Sequence, residues 1–190
     1  MAKLTEVRWH GRGGQGAKTA GYVLAVAAAQ QGWTVQAFPE YGAERRGAPM
    51  RSYVRISDAP IRLRSGIDNP DIVIVLDPSL IATESVLSGL PDGGLLIINT
   101  DQSPQEVAES LGNPNVKLYT VNASAISVDT IGRDIPNTPM LGALAKVSDL
   151  LELDITLKAV EEQLSGRLPA PVVEGNKEAI RRAYEEVQVA

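Results

Sequence analysis

Cysteine is absent from this chain of 190 residues. That excludes disulfides, thiolate ligation of zinc or of iron–sulfur clusters, and a cysteine nucleophile. Histidine is nearly absent as well, with His10 the only one. A histidine-rich metal site is therefore excluded, and no metal ligand set is expected. Aromatic residues make up 4%, and Phe38 is the sole phenylalanine, so the core must be aliphatic. No apolar run approaches the roughly 20 residues of a membrane span. The start, Met1-Ala2-Lys3-Leu4-Thr5, has no signal-peptide character. A cytoplasmic protein without a membrane span is expected. The net charge is −5, which argues against general nucleic-acid binding, a function that needs a basic face. The basic residues are nevertheless uneven: Arg45, Arg46, Arg51, Arg55, Arg62 and Arg64 crowd into one stretch.

What is present is an alternation of strand and helix patterns over a length that fits one domain, taken as residues 1–190. Residues 7–10 read as a first strand, and 17–31 as an alanine-rich helix whose apolar positions nearly encircle it. Gly32 ends that helix, and 34–38 is a second strand that closes a βαβ unit. Residues 51–56 and 61–64 alternate around a Ser57-Asp58-Ala59-Pro60 turn, so a hairpin at the sheet edge is expected, with arginines on an exposed or interface face. Residues 72–76 and 95–98 are continuous apolar strands of the buried parallel kind, and 116–121 is a further strand. The last third is helical. Thr138-Pro139 is read as N-cap and N1 of one helix, and the final helix as capped near Asn176. Together these predict an α/β fold: a three-layer Rossmann-like domain with a mostly parallel sheet, an edge hairpin and a helical C-terminal third.

Gly11, Gly13 and Gly16 satisfy G-x-G-x-x-G between a strand and a helix. Such glycines let backbone approach a ligand closely, and unpaired N–H groups at the helix start favour an anion, so a phosphate is the natural guest. Arg12 and Lys18 add positive charge nearby. A dinucleotide site also places an acid about 20 residues on. Glu40 lies near that position, but Pro39 intervenes, and Gln15 is a polar side chain that the dinucleotide fingerprint does not require. Two alternatives stay open: a free-standing NAD(P)-binding Rossmann-like oxidoreductase, and an interaction module whose glycine turn serves packing alone.

The stretch Trp9-His10-Gly11-Arg12-Gly13-Gly14-Gln15-Gly16, followed by residues 36–49 with Pro39-Glu40-Tyr41-Gly42-Ala43-Glu44-Arg45-Arg46-Gly47, resembles the γ subunit of pyruvate and related 2-oxoacid:ferredoxin oxidoreductases. So do Asn137-Thr138-Pro139-Met140-Leu141-Gly142-Ala143-Leu144 and Asn176-Lys177-Glu178-Ala179-Ile180. The family often carries proline where this chain has Ala43. The resemblance implies a subunit of an enzyme that oxidatively decarboxylates a 2-oxoacid to acyl-CoA and CO2, the chain being inactive in isolation. It implies α, β and δ-type partner subunits carrying thiamine diphosphate, Mg and [4Fe–4S] clusters, with ferredoxin or NAD as acceptor through those partners. It also implies a share in a coenzyme A site. Arg12, Gly13, Gly14, Gln15 and Gly16 are the expected contacts. Glu40, Arg45 and Arg46 are candidates either for that site or for an assembly contact. No catalytic residue is expected. His10 is read as a structural hydrogen-bonding residue, and Asp77 as either a strand-end ligand group or a helix cap.

Overall fold

The structure, a computed structural model, describes residues 3–40 and 47–189. One seven-stranded sheet runs in the order β2-β3-β1-β4-β5-β6-β7. Its strands are β1 (Leu4–Arg12), β2 (Thr34–Glu40), β3 (Pro49–Ser57), β4 (Ile72–Val75), β5 (Leu95–Asn99), β6 (Lys117–Val121) and β7 (Gln188–Val189). The β1–β4, β4–β5 and β5–β6 pairs are parallel, while β3 runs antiparallel to both β1 and β2, and β7 antiparallel to β6. Five strands thus share one direction, as the apolar runs predict.

Alternation along the strands sorts two layers of packing. Val7, Trp9, Val54, Ile56, Ile72, Ile74, Leu95 and Ile97 face a large core. That core is shared with α1 (Ala17–Gln30), α4 (Ala123–Ile131), α5 (Asn137–Val147), α6 (Leu153–Leu164) and α7 (Ala170–Glu186). On the opposite face, Val73, Val75, Leu96, Ile98 and Leu118 pack against Leu80 of α2 (Leu80–Thr83) and Val107 of α3 (Pro104–Ser110). Alanine keeps α1 slim enough to lie close on the sheet. A Cβ at Gly21 would come within 2.6 Å of Ser52 Oγ on β3. Past α1, Gly32 adopts φ 90°, and the Trp33 and Gly32 amides donate to Ala28 and Ala29, which closes the helix end.

Several expectations need correction. The first two strands do not pair, because β3 lies between them. The edge hairpin exists, but it joins β2 to β3 rather than 51–56 to 61–64. Residues 61–64 form no strand, and Arg62 and Arg64 are exposed coil. The arginines of 51–56 are not an exposed face: Arg55 is only 1% exposed and pairs with Glu6 at 2.7 Å. Alternation was real, but its polar side is roofed by the chain's own coil, since Arg55 donates to the Gly66 carbonyl and Gln36 to that of Leu63. A period of two cannot distinguish water from a polar roof.

The helix starts also shift. Helix α5 begins before Thr138, whose hydroxyl instead donates to Asn176 Oδ1 at 2.8 Å. Asn176 sits within α7 and donates to the Val172 carbonyl at 2.7 Å, so it caps nothing. A Cβ at Gly142 would lie 2.1 Å from the Ile180 carbonyl oxygen, so α5 and α7 touch backbone to backbone there.

In an open helix, Gly→Ala stabilises by up to about 1 kcal/mol. Gly142→Ala should do the reverse, destabilising this chain by about 1–3 kcal/mol through overpacking. Urea unfolding midpoints check this, and a rise in stability would show that the seam is looser than described.

Candidate functional site

The glycine turn lies where the chain direction across the sheet reverses. From β1 it proceeds toward β2 and β3, whereas β4 opens the run to β5, β6 and β7. The carboxyl ends of such neighbouring strands flank the crevice in which α/β proteins hold ligands. Here the crevice carries a closed set of polar contacts. Arg12 Nε lies 3.2 Å from Asp77 Oδ2, and Gln15 Nε2 donates to the same oxygen at 2.9 Å. Asp77 Oδ1 accepts from the Ser79 amide at 3.0 Å and from its hydroxyl at 2.6 Å. Burial works to raise the Asp77 pKa. Hydrogen bonds from Ser79 and Gln15 and the Arg12 charge outweigh it, so the carboxyl is held below its ordinary value. Three hydrogen bonds and the Arg12 charge converge on Asp77, which makes it a group that positions its neighbours. Its bonds to the Ser79 amide and, through its own carbonyl, to the Leu80 amide at the start of α2 agree with the reading of Asp77 as a helix cap.

The turn itself is only partly open. The Gly13 amide donates to the Ala48 carbonyl and the Gln15 amide to that of Arg12. Both are therefore spent inside the protein, against the expectation that the whole turn offers free donors. The Gln15 side-chain oxygen accepts from the Arg12 amide at 2.7 Å. Gly14 and Gly16 have φ of 108° and 84°, where glycine is favoured. Among the described residues the space above Gly14 is open: an added Cβ would meet none of their atoms within 4 Å. Gly16 is closed, because a Cβ there would come within 2.5 Å of Asn137 Nδ2. So Gly14 faces outward, while Gly16 seats the start of α5. Arg12 also donates to the Gly47 carbonyl at 3.1 Å and to Ser79 Oγ at 2.9 Å. Two of its five guanidinium N–H groups are thereby hydrogen-bonded among the described residues, and Nε faces Asp77 as an ion pair.

Glu40 is not beside the turn. It ends β2, one strand beyond β3, roughly 10 Å across the sheet from β1 at the usual strand spacing. It accepts a hydrogen bond from the Tyr53 hydroxyl and borders a second depression, a cleft of about 200 Å³ lined by His10, Glu40, Pro49, Met50, Arg51, Leu80 and Glu84. The dinucleotide arrangement, with its acid next to the glycine turn, is not formed. Arg45 and Arg46, with Tyr41, Ala43 and Glu44, lie outside the described residues.

His10 forms part of the cleft floor and is 1% exposed. Its Nε2 accepts from Arg8 Nε at 3.0 Å, so the neutral ring carries its proton on Nδ1. Burial, then the charges of Arg8 and Arg51, lower its pKa from 6.5 to about 3. Arg51 donates to Glu84 at 3.0 Å. Burial opposes the Arg51 charge, but its bonds to Glu84 and Tyr53 outweigh that and raise its pKa. Sequence reasoning singled out His10 and the arginines but not this cleft. Its walls come from β1, β2, β3 and α2, and no local pattern announces their meeting.

Comparison with known proteins is consistent along the whole chain. Residues 6–186 match the family described as pyruvate ferredoxin/flavodoxin oxidoreductase. The pyruvate synthase subunit PorC of Thermotoga maritima is 47% identical, covering 98% of this chain and 96% of the relative. The pyruvate/ketoisovalerate oxidoreductases common subunit gamma of Thermococcus kodakarensis is 46% identical, covering 94% and 97%. The crystal structure of pyruvate oxidoreductase subunit PORC from Thermotoga maritima superposes with a TM-score of 0.87 at 44% identity, covering 99% of each chain.

The depressed His10 pKa has a stability consequence. Below pH 6.5 the unfolded chain takes up a proton at this residue that the folded chain refuses until about pH 3. Stability therefore falls as pH falls through that window, by about 2 kcal/mol between pH 6.5 and 5. His10→Gln keeps an acceptor opposite Arg8 and removes the titration. Urea unfolding at the two pH values should show a smaller acid loss in the variant, and an equal loss in both proteins would place the proton uptake elsewhere.

Proposed function

The chain belongs to the pyruvate ferredoxin/flavodoxin oxidoreductase family as a γ-type subunit of an enzyme that oxidises 2-oxoacids, and we propose that within that enzyme it receives the phosphate end of coenzyme A. The observation that carries this reading is the glycine turn at the sheet's reversal point. Gly14 faces space that is open among the described residues, and Asp77, Gln15 and Ser79 hold the Arg12 guanidinium beside it with N–H groups left unengaged among those residues. A phosphate needs just such donors: an outward glycine backbone and a planar cation already fixed in position. Preorganisation of this kind lowers the ordering cost on binding.

The redox chemistry belongs to other subunits in this reading. Without cysteine the chain has no ligands for a [4Fe–4S] cluster. The described residues hold no group of three or more His, Asp or Glu placed to bind a metal ion. Thiamine diphosphate, Mg and the clusters are assigned to α, β and δ-type partners, which pass electrons singly to ferredoxin or onward to NAD. This chain supplies no group to carbon–carbon cleavage. It presents coenzyme A so that the thiol captures the acyl group as CO2 and two electrons depart. No helix among the described residues is long and apolar enough to cross a membrane, and we assign the complex to the cytoplasm. Glu40 ends β2 on the hairpin side of the site, and an assembly contact suits it as well as coenzyme A does; Arg45 and Arg46 remain candidates for the same two roles on the family resemblance alone.

Two substitutions at one position test the reading in the assembled oxidoreductase. Gly14→Ala carries the backbone strain of a side chain at φ 108°. Gly14→Asp carries the same strain plus a negative charge in the proposed phosphate position. The KM for coenzyme A should rise at least about tenfold further in the aspartate variant than in the alanine variant, equivalent to about 1.4 kcal/mol, with the KM for the 2-oxoacid unmoved. Equal values for coenzyme A in the two variants would reduce the turn to packing.

A further inference from the structure

The connection from β3 to β4 has no part in the phosphate site. It leaves the sheet after Ser57, returns at Ile72, and contains no helix or strand. It is nevertheless pinned at intervals. Asp58 Oδ1 accepts from the Lys3 amide at 2.8 Å, the Leu63 carbonyl from Gln36 at 3.1 Å, and the Gly66 carbonyl from the buried Arg55 at 3.0 Å. Groups that face the sheet are thus tied to it. Between the pins, Arg62, Leu63 and Arg64 are all exposed, Leu63 by 46%.

A depression of about 250 Å³ lies beside them. Leu4, Ala59, Pro60, Ile61 and Leu63 give it apolar walls, Arg62 borders it, and no lining residue is acidic. The connection's own acids, Asp58, Asp68 and Asp71, fall to either side of this run. Neither Arg62 nor Arg64 has a hydrogen bond or ion pair among the described residues. On a chain of net charge −5, two unpaired arginines around an exposed leucine make a basic patch whose complement is acidic. Arginine suits such a contact, because its planar fork takes a carboxylate in two parallel hydrogen bonds. The leucine between the cations supplies the apolar centre that a protein interface needs. With the backbone pinned beforehand, the ordering cost of docking falls mainly on side chains.

Position separates the patch from the glycine turn. Leu4 begins β1 and Arg12 ends it, about 26 Å apart along the strand. We infer that this patch docks an acidic segment of another subunit of the oxidoreductase, with an apolar side chain seated against Leu4 and Leu63 and carboxylates on Arg62 and Arg64. A second copy of this chain suits the patch less well, since two chains of the same net charge repel. The inference rests on membership of the family and is independent of the coenzyme A reading.

The test titrates the full chain into the remaining subunits of the oxidoreductase and reads the dissociation constant by sedimentation. The double variant Arg62→Glu, Arg64→Glu should raise that constant at least about tenfold. Leu63→Ser should raise it about tenfold, the loss expected for an apolar side chain buried on docking. Added salt should weaken the parent complex and affect the double variant less. All three side chains are exposed, so urea unfolding midpoints of the variants should match the parent. Arg181→Glu, an exposed reversal on α7, should leave the dissociation constant as it was. Unchanged constants in both patch variants, or an equal weakening by Arg181→Glu, would overturn the inference. So would a parent chain that sediments alone as a dimer, with the double variant monomeric and its assembly unimpaired, because the patch would then belong to a second copy. At saturating subunit the double variant should show the parent KM for coenzyme A. Gly14→Asp should move that KM and leave the dissociation constant alone, so the two readings fail separately.

Discussion

Arg8 sits on β1 in the interior of the sheet, 4% exposed, and its guanidinium meets no carboxylate among its hydrogen-bond partners. It donates instead to the carbonyls of Ile67 and Asp68 in one connection, to those of Val86 and Ser88 in another, and to His10 Nε2. A buried cation is costly unless its donors are all engaged, and oriented carbonyl dipoles engage these. Much of the polar side of the structure follows from that demand. The two connections must converge over β1 to supply the carbonyls. They do so tightly enough that a Cβ at Gly89 would lie 1.9 Å from the Asp68 oxygen. Their convergence roofs the face that carries Arg55, and the claim of Arg8 on Nε2 fixes the tautomer of His10.

The opposite face depends on the absence of side-chain bulk. Gly21 lets α1 rest on β3, Gly16 lets Asn137 abut the turn, and Gly142 brings α5 against the backbone of α7. These contacts give a spatial meaning to stretches that are far apart in the chain. Residues 137–144 and 176–180 form one seam through Thr138, Asn176, Gly142 and Ile180, and the seam ends on the glycine turn. Their packing therefore supports the turn. Close packing on one side and the hydrogen-bonded Asp77 on the other leave Gly14 and part of Arg12 outward among the described residues.

Much of this was legible in the order of residues. The runs 72–76 and 95–98 are apolar throughout because parallel strands are covered on both faces, and both became central strands. The alanine-rich helix and its Gly32 terminus were also plain, since both are local preferences of backbone and side chain. The hairpin partner was not legible. Residues 51–56 and 61–64 share a pattern and a nearby turn, yet β3 pairs with β1 and β2, across longer separations in sequence. Thr138 and Asn176 looked like caps because those residue types cap helices. Each instead bonds the other across the α5–α7 seam, a pairing that exists only after the helices pack.

The residue order was enough to set the fold class, the strand–turn–helix at residues 9–16 and the absence of thiolate chemistry, because each depends on composition or on neighbours within a few positions. It also carried the family, through motifs whose residues can be compared one by one. Which donors of the turn stay open was decided by packing: Gly13 and Gln15 spend their amides on contacts made by a loop that returns some 35 residues later and by the turn's own closure. Asp77, Ser79, Arg51 and Glu84 reach the site from other strands and from α2, and the cleft over His10 exists only where those elements meet. Hydrogen bonds between distant segments have no signature in local periodicity, so that part of the site belongs to the tertiary structure.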